Sequence, residues 1–143
     1  MIGITEAEIR AIRTEAKTSY PEECCGALLG SVCAENGRRV VRAVPIYNAR
    51  EDERQRRYLI GPDDVEALED AAARGGLDVL GFYHSHPDHP AVPSVFDQDH
   101  AWPWYTYVIV PVSQGKPGVP RAWQLSGDRA EFDEIELIRK EKT

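Results

Sequence analysis

Apolar residues recur along this chain at two spacings, which separates expected helices from expected strands. Near the N-terminus the interval is nearly helical, at Ile4, Ile9, Ile12 and Ala16. Thr5 and Glu8 form a capping-box pattern there, so we expect a helix from about Thr5 to Ser19. A second helix is expected from Asp63 to Arg74, because apolar residues line one side and two glycines follow.

Short apolar runs of strand length separate and follow these helices. They cover Gly26 to Cys33, Arg39 to Ile46, Leu77 to His84 and Tyr105 to Val112. Asn36-Gly37 predicts a hairpin between the first two runs, and the charged segment Asn48 to Arg57 predicts an exposed loop. Arg121 to Leu125 predicts a further strand, whereas Glu131 to Ile138 fits either a strand or a C-terminal helix. Helices that alternate with strands predict an α/β sandwich around a mixed sheet.

Length and charge narrow the class of protein. The 143 residues suit one domain over residues 1–143, and 24 acidic against 17 basic residues give a net charge of −7. That balance disfavours nucleic acid as a partner, since phosphate binding needs a basic face. No apolar run approaches the roughly 20 residues of a membrane helix, and Met1 to Arg13 is unlike a signal peptide. We therefore expect a soluble, cytoplasmic protein with no membrane partner.

All four histidines lie within residues 84–100, so this segment is the first candidate for a catalytic or metal-binding site. His84 and His86 are two residues apart at the end of an expected strand, so both rings project from one face. With Asp97 they would supply two imidazoles and one carboxylate, which leaves an open position for water on a tetrahedral zinc. Zinc lowers the pKa of that water from about 15.7 toward 7. The alternative is that the histidines are polar strand-end residues and that Asp97 only caps a helix.

Hydrolysis would also need residues that do not bind the metal. Ser94 and Asp97 form an S-x-x-D capping pattern, and the Ser94 hydroxyl could donate a hydrogen bond to an oxyanion. A leaving amine must be protonated by a carboxyl group. By residue chemistry alone, that group remains open among Glu22, Glu23, Asp88 and Asp99.

Two motifs together resemble the JAMM/MPN metalloprotease family. Residues 84–87 read H-S-H-P and residues 94–97 read S-V-F-D, with six residues between them; the family pattern is H-[ST]-H-P-x6-S-x-x-D. Upstream, residues 20–30 (YPEECCGALLG) resemble the P-x-E-x-C-G-x-L-x-G segment of prokaryotic members. The resemblance implies an MPN, cytidine-deaminase-like fold: one α/β domain with a mixed, curved central sheet flanked by helices.

The same resemblance implies roles for five residues. It makes His84, His86 and Asp97 the ligands of one zinc ion per chain, Glu23 the general acid/base and Ser94 the oxyanion-stabilising residue. It implies a compact prokaryotic peptidase or isopeptidase that cleaves after the C-terminal Gly-Gly of a ubiquitin-like or sulfur-carrier protein.

Two other functions are compatible with parts of this pattern. A non-haem iron enzyme also uses two histidines and one carboxylate, but such sites are commonly carried by all-β barrels. A non-catalytic scaffold of the same fold would normally have lost ligands, which are retained here.

The other histidines, the adjacent cysteines and an aromatic run are expected to be structural. We expect His89 in a loop and His100 on a helix surface, although either could orient substrate. Cys24 and Cys25 are expected to be buried packing residues. The aromatic run over residues 102–105 (WPWY) is interpreted as an anchor for the next strand or as a docking surface.

Overall fold

The structure is a computed structural model that describes residues 1–33, 37–46, 62–125 and 131–140. Asn36 of the expected turn and the expected loop Asn48 to Arg57 lie outside these described residues. The first half contains β1 (Ile2–Thr5), α1 (Glu6–Ser19), β2 (Cys25–Val32), β3 (Arg38–Ile46) and α2 (Pro62–Arg74). The second half contains β4 (Asp78–Pro87), α3 (Val95–His100), β5 (Thr106–Ser113), β6 (Lys116–Pro117), β7 (Arg121–Leu125), β8 (Phe132–Ile135) and β9 (Leu137–Lys140).

The described strands form one mixed sheet in the order β8-β7-β5-β4-β2-β3-β1-β9, with β6 paired to β5. β1 runs parallel to β3 and β9, and β4 runs parallel to β5, while the remaining pairs are antiparallel. β8 and β9 lie at opposite ends of this order, yet only Glu136 separates them in the chain. The two edges must therefore approach each other, which curves the sheet and confirms the expected mixed, curved architecture.

The helix α1 begins as the capping pattern predicts, one residue after Thr5. The Thr5 hydroxyl accepts a hydrogen bond from the Glu8 N–H at 3.2 Å. The Glu8 carboxylate accepts from the Ala43 N–H instead of completing a capping box. Ile4 shares the helical spacing of the apolar stripe, but it precedes the helix and lies in β1, paired with β3 and β9. A buried four-residue strand thus precedes the cap, and the helical spacing of Ile4 is coincidental.

Two clusters of buried side chains hold the helices against opposite faces of the sheet. On one face α1 packs through Ile9, Ile12 and Ala16 against Leu28, Leu80, Tyr83 and Val108. On the other face α2 packs through Val65, Leu68 and Ala72 against Ala27, Leu29, Phe82 and Tyr107. Burial of these apolar surfaces stabilises the layers by about 25 cal/mol per Å². The arrangement confirms the expected α/β sandwich.

β4 is central and longer than expected. It was predicted to end at His84, but parallel pairing with β5 continues through Pro87, which lies opposite Val112. The extension has a functional consequence, because it places His84 and His86 on one regular strand.

The C-terminal segment consists of strands. Phe132–Ile135 pairs with β7 and Leu137–Lys140 pairs with β1, so the alternative of a helix over Glu131 to Ile138 is wrong. Within the described ranges, no helix combines the length and the apolar character that a membrane crossing requires.

Candidate metal centre

The end of β4 presents two imidazoles on the same face of the sheet. Alternation along the strand places Phe82, His84 and His86 on the α2 side. His84 lies between Cys25 of β2 and Ile109 of β5, and is 1% exposed. The two Nε2 atoms are 3.1 Å apart. Both rings are buried and point to a common position.

Asp97 completes this group from α3. Its Oδ1 is 3.3 Å from His84 Nε2, and its Oδ2 is 3.0 Å from His86 Nε2. One ligand atom from each of the three residues lies within 4.8 Å of the others. Three potential ligand atoms therefore converge on one centre, as the sequence predicts.

The protonation pattern of His86 tests whether these residues fit a metal ion. Its Nδ1 is 2.8 Å from the carbonyl oxygen of Pro90, which can only accept a hydrogen bond. Nδ1 therefore carries the proton, and in the neutral ring Nε2 turns a lone pair toward Asp97. A metal cation between them would bind both this lone pair and the carboxylate oxygens. Tetrahedral zinc at about 2.0–2.1 Å from its ligands would separate them by about 3.3 Å, close to the spacings here. The residues fit such an ion.

Electrostatics around the two ligand types favour the forms that bind metal. Burial lowers the pKa of His84, partly opposed by Asp97, so the ring favours its neutral form. Burial by itself raises the pKa of Asp97, but hydrogen bonding to His84 and His86, together with their charge whenever a ring is protonated, outweighs it and holds that pKa below its usual range. Neutral imidazole and ionised carboxylate are the states that metal ligation requires.

Glu23 lies beside this centre because of the register between β2 and β4. Cys25 pairs directly with His84, and Glu23 precedes Cys25 by two residues, just before β2 begins. Its side chain is buried, at 5% exposure. Together with His86 and Ser94 it lines a cavity of about 640 Å³. The structure therefore brings Glu23 to the candidate metal centre.

The other carboxylates that residue chemistry left open differ from Glu23 in place and exposure. Glu22, Asp88 and Asp99 are exposed, and the lining of the 640 Å³ cavity includes Glu23 but none of these three. Asp88 accepts hydrogen bonds from the Tyr20 hydroxyl and the Gln114 N–H. Position thus favours Glu23 as the carboxyl group that could exchange protons with a substrate.

Ser94 combines a capping contact with a place on the cavity wall. Its hydroxyl accepts from the Asp97 N–H at 3.0 Å, and its own N–H donates to Asp97 Oδ2 at 2.9 Å. This complete capping box fixes the ligand carboxylate. The hydroxyl proton is not used by the cap, so it can be donated to a group in the cavity.

The remaining histidines and the cysteines differ in their relation to the centre. His89 lines the cavity, so this expected loop residue borders the site. His100 stacks on Phe96, with ring centroids 3.9 Å apart, and its Nδ1 is 2.9 Å from the Phe96 carbonyl. Burial raises the pKa of both Cys24 and Cys25 to about 12, which disfavours a thiolate role and supports the packing interpretation.

The aromatic run of residues 102–105 packs away from the candidate ligands. The Arg38 guanidinium lies 4.1 Å from the centroid of the Trp104 ring, and the Trp102 N–H donates to the Tyr107 hydroxyl at 2.7 Å. These contacts support the interpretation that the run anchors β5, although both indoles keep partly exposed surface.

Three contributors to the site were missed from sequence. The Pro90 carbonyl orients His86, and Val92 and Val95 form an exposed apolar part of the cavity wall. The contact of Pro90 could not be found from the sequence, because a main-chain carbonyl leaves no side-chain signal. The two valines precede and follow Ser94 closely, so proximity to the motif was the available signal.

Comparison with known proteins gives concordant results. A family model described as prokaryotic homologs of the JAB domain matches residues 5–126. The desampylase of Haloferax volcanii is 35% identical over 126 residues, which cover 87% of this chain and 84% of that protein. A solved structure from Desulfitobacterium hafniense is 29% identical with a TM-score of 0.84, and the match covers 99% and 94% of the two chains. A JAB1/MPN domain protein from Archaeoglobus fulgidus is 20% identical with a TM-score of 0.60, covering 97% and 99% of the chains, and shares the fold.

Proposed function

Because the chain belongs to the family of prokaryotic JAB-domain proteins, of the JAMM/MPN type, we propose that it is a zinc-dependent isopeptidase or peptidase. It would cleave after the C-terminal Gly-Gly of a ubiquitin-like or sulfur-carrier protein. One observation carries the proposal: the candidate ligands His84, His86 and Asp97 share a buried centre whose cavity is also lined by Glu23 and Ser94.

In this proposal His84, His86 and Asp97 hold one zinc ion per chain. The ion, when bound, supplies a water of lowered pKa and polarises the scissile carbonyl. The protein contributes rigidity: the Pro90 carbonyl fixes the tautomer of His86, and the Ser94 cap fixes Asp97. Three protein ligands would leave a fourth position for water or substrate, which can enter through the cavity beside His86.

Glu23 is proposed as the group that moves the proton. Its carboxylate takes a proton from the attacking water and gives it to the nitrogen of the leaving amine, so that the amine departs neutral. The base must lie within hydrogen-bond reach of the open side of the centre. Burial of Glu23 on the cavity wall next to His86 supports this role.

Ser94 is proposed to stabilise the carbonyl oxygen as negative charge develops on it. The hydroxyl can keep accepting from the Asp97 N–H while it donates its own proton to that oxygen. An oxyanion donor of this kind contributes roughly 2.7–4 kcal/mol.

A substrate tail that ends in Gly-Gly fits a metal centre whose ligands are buried below the protein surface. All three candidate ligands are buried, so a substrate backbone must come close to reach them. Glycine has no Cβ and permits that approach. The name of the Haloferax relative, desampylase, also supports a ubiquitin-like partner.

Mass spectrometry tests the proposed reaction. The zinc-loaded protein is incubated with a ubiquitin-like carrier whose Gly-Gly is extended by a short peptide, alongside a carrier in which the last glycine is alanine. We expect loss of the extension from the glycine carrier and a much slower reaction of the alanine carrier. An intact glycine carrier would contradict the activity. Metal analysis of the protein as purified, before zinc is added, would separate zinc from the iron alternative.

A further inference from the structure

The strand that carries the candidate ligands also contacts the segment that carries Glu23. Ser85 lies between His84 and His86 and is fully buried on the opposite, α1 side of the sheet. Its N–H donates to the Cys24 carbonyl at 3.1 Å, and its hydroxyl accepts from the Cys24 N–H at 2.8 Å. One residue therefore binds both main-chain polar groups of Cys24, the neighbour of Glu23.

The Ser85 hydroxyl takes the place of a main-chain carbonyl as the acceptor of the Cys24 N–H. In a regular antiparallel pair, two residues exchange both N–H···O bonds through their backbones. At Cys24 and Ser85 the side-chain oxygen replaces one backbone carbonyl, just beyond Cys25 and His84, where the registered ladder ends. The Cys24 position thus depends on a side chain that lies between two ligands.

A second contact holds the other end of the same segment. Asp88 has a positive φ of 58°, and its N–H donates to the Val112 carbonyl. Its carboxylate accepts from the Tyr20 hydroxyl at 2.7 Å and from the Gln114 N–H at 2.8 Å. Tyr20 is the C-cap residue of α1 and precedes Glu23 by three positions. Residues 20–24 are therefore attached at Tyr20 and at Cys24, with Glu23 between the two attachments.

We propose that Ser85 and Asp88 are positioning residues that set the distance between Glu23 and the metal centre. The inference rests on the proposed function. Residues 84–88 then serve two purposes: His84 and His86 hold the ion, while Ser85 and Asp88 hold the segment of the base. Because both sets are on one strand end, movement of the strand carries base and ligands together. A displacement of about 1 Å can cost about 100-fold in rate, so such coupling matters.

Two variants test the attachments, with a matched control. Ser85→Ala removes the acceptor at Cys24, and Tyr20→Phe removes only the hydroxyl that binds Asp88. Tyr105→Phe is the control, since it removes a similar tyrosine–carboxylate hydrogen bond, to Glu69, outside the segment. Both test variants should keep one zinc per chain and lose about 10- to 100-fold in kcat with little change in KM. The control should keep the kcat of the unmodified protein.

A coupling measurement separates positioning from general loss of structure. In the Glu23→Gln background, Tyr20→Phe should cause no further loss of rate, because its effect passes through Glu23. Equal, additive losses in both backgrounds would overturn the inference.

Amide hydrogen exchange tests the attachment without any activity. Exchange within residues 20–25 should become at least about 10-fold faster in Ser85→Ala and Tyr20→Phe, while the control matches the unmodified protein. Unchanged exchange in both variants would overturn the inference. If the unmodified protein cleaves no carrier but the exchange changes as expected, the proposed function fails and the attachment stands.

Discussion

The two ends of β4 both bury ionisable side chains, but they satisfy them differently. Near the start of the strand, Arg38 Nη1 donates to the Leu80 carbonyl at 3.0 Å and to the Thr106 hydroxyl at 2.8 Å. Its guanidinium also lies against Trp104. At the other end, the Nε2 atoms of His84 and His86 face each other and the oxygens of Asp97.

This difference distinguishes a structural polar cluster from a candidate binding site. Around Arg38 each hydrogen bond joins a guanidinium donor to a protein acceptor, so these contacts need no further partner. At the histidine end, His86 Nε2 and the Asp97 oxygens face one another as acceptors, with His84 Nε2 beside them, and a metal cation would satisfy the group together. Burial is common to both ends and does not identify the site; the pairing of donors and acceptors does.

Removing one candidate ligand should have the largest effect of the predicted changes, on both zinc content and activity. His86→Ala should purify largely without zinc and lose nearly all activity, because two remaining ligands bind weakly. Metal content by elemental analysis is the measurement. His100→Ala is the matched control, since His100 stacks on Phe96 outside the candidate ligand set and should leave zinc in place. Stoichiometric zinc in His86→Ala would show that the ligand set is wrong.

The histidine end was largely predictable from sequence because its signals are local. Two histidines at strand spacing and a capping pattern that contains Asp97 predicted a convergence that the structure contains. The choice of Glu23 over Glu22 was not derivable from residue chemistry, because it depends on the pairing of Cys25 with His84, about sixty positions away. It came from the family resemblance.

Two features of the fold could not be predicted from the sequence, each for a different physical reason. Ile4 fits the helical interval by chance, and its true partners are in β3 and β9, far away in sequence. The structural cluster at Arg38 was not predicted, since its acceptors are a main-chain carbonyl and a threonine on two other strands. Local spacing of residues predicts helices and strands well, whereas strand pairing and buried polar contacts depend on residues that are distant in the sequence.

Neutralising the proposed base should produce the next largest effect. Glu23→Gln should keep zinc and the fold but lose at least about 100-fold in kcat, since the amide cannot carry the proton. Steady-state kinetics on the peptide-extended carrier measure this loss. Glu22→Gln is the control at an exposed neighbouring position and should retain activity. If Glu23→Gln retained full activity, the proton would have to move through another carboxyl group.

Ser94 allows the two functions of one hydroxyl to be separated. Ser94→Ala should lose roughly 100- to 1,000-fold in kcat, and the lost cap should cost about 0.5–2 kcal/mol in unfolding free energy. Ser94→Gly also removes the hydroxyl, but glycine at an N-cap costs only a few tenths of a kcal/mol. Equal rate losses with unequal stabilities would support oxyanion stabilisation. A rate that follows stability in both variants would favour a purely structural cap.

At the Arg38 end, Thr106→Val should change stability alone, with no effect on kcat. Valine keeps the shape of this fully buried side chain but removes one acceptor of Arg38, which still has the Leu80 carbonyl. We expect a loss of about 1 kcal/mol in unfolding free energy. The corresponding decrease in Tm is roughly 2–8 °C.

The zinc dependence of Tm connects this last variant to the other end of the strand. Zinc that binds only the folded protein raises Tm by an amount set by its affinity, so the difference in Tm with and without zinc reports the histidine end. Thr106→Val should lower both Tm values equally and keep their difference, together with kcat, whereas His86→Ala should abolish the difference. Thermal denaturation of both variants in zinc and in chelator measures this. A smaller zinc-dependent difference in Thr106→Val would mean that the two ends are coupled through β4 and that the structural cluster contributes to metal binding.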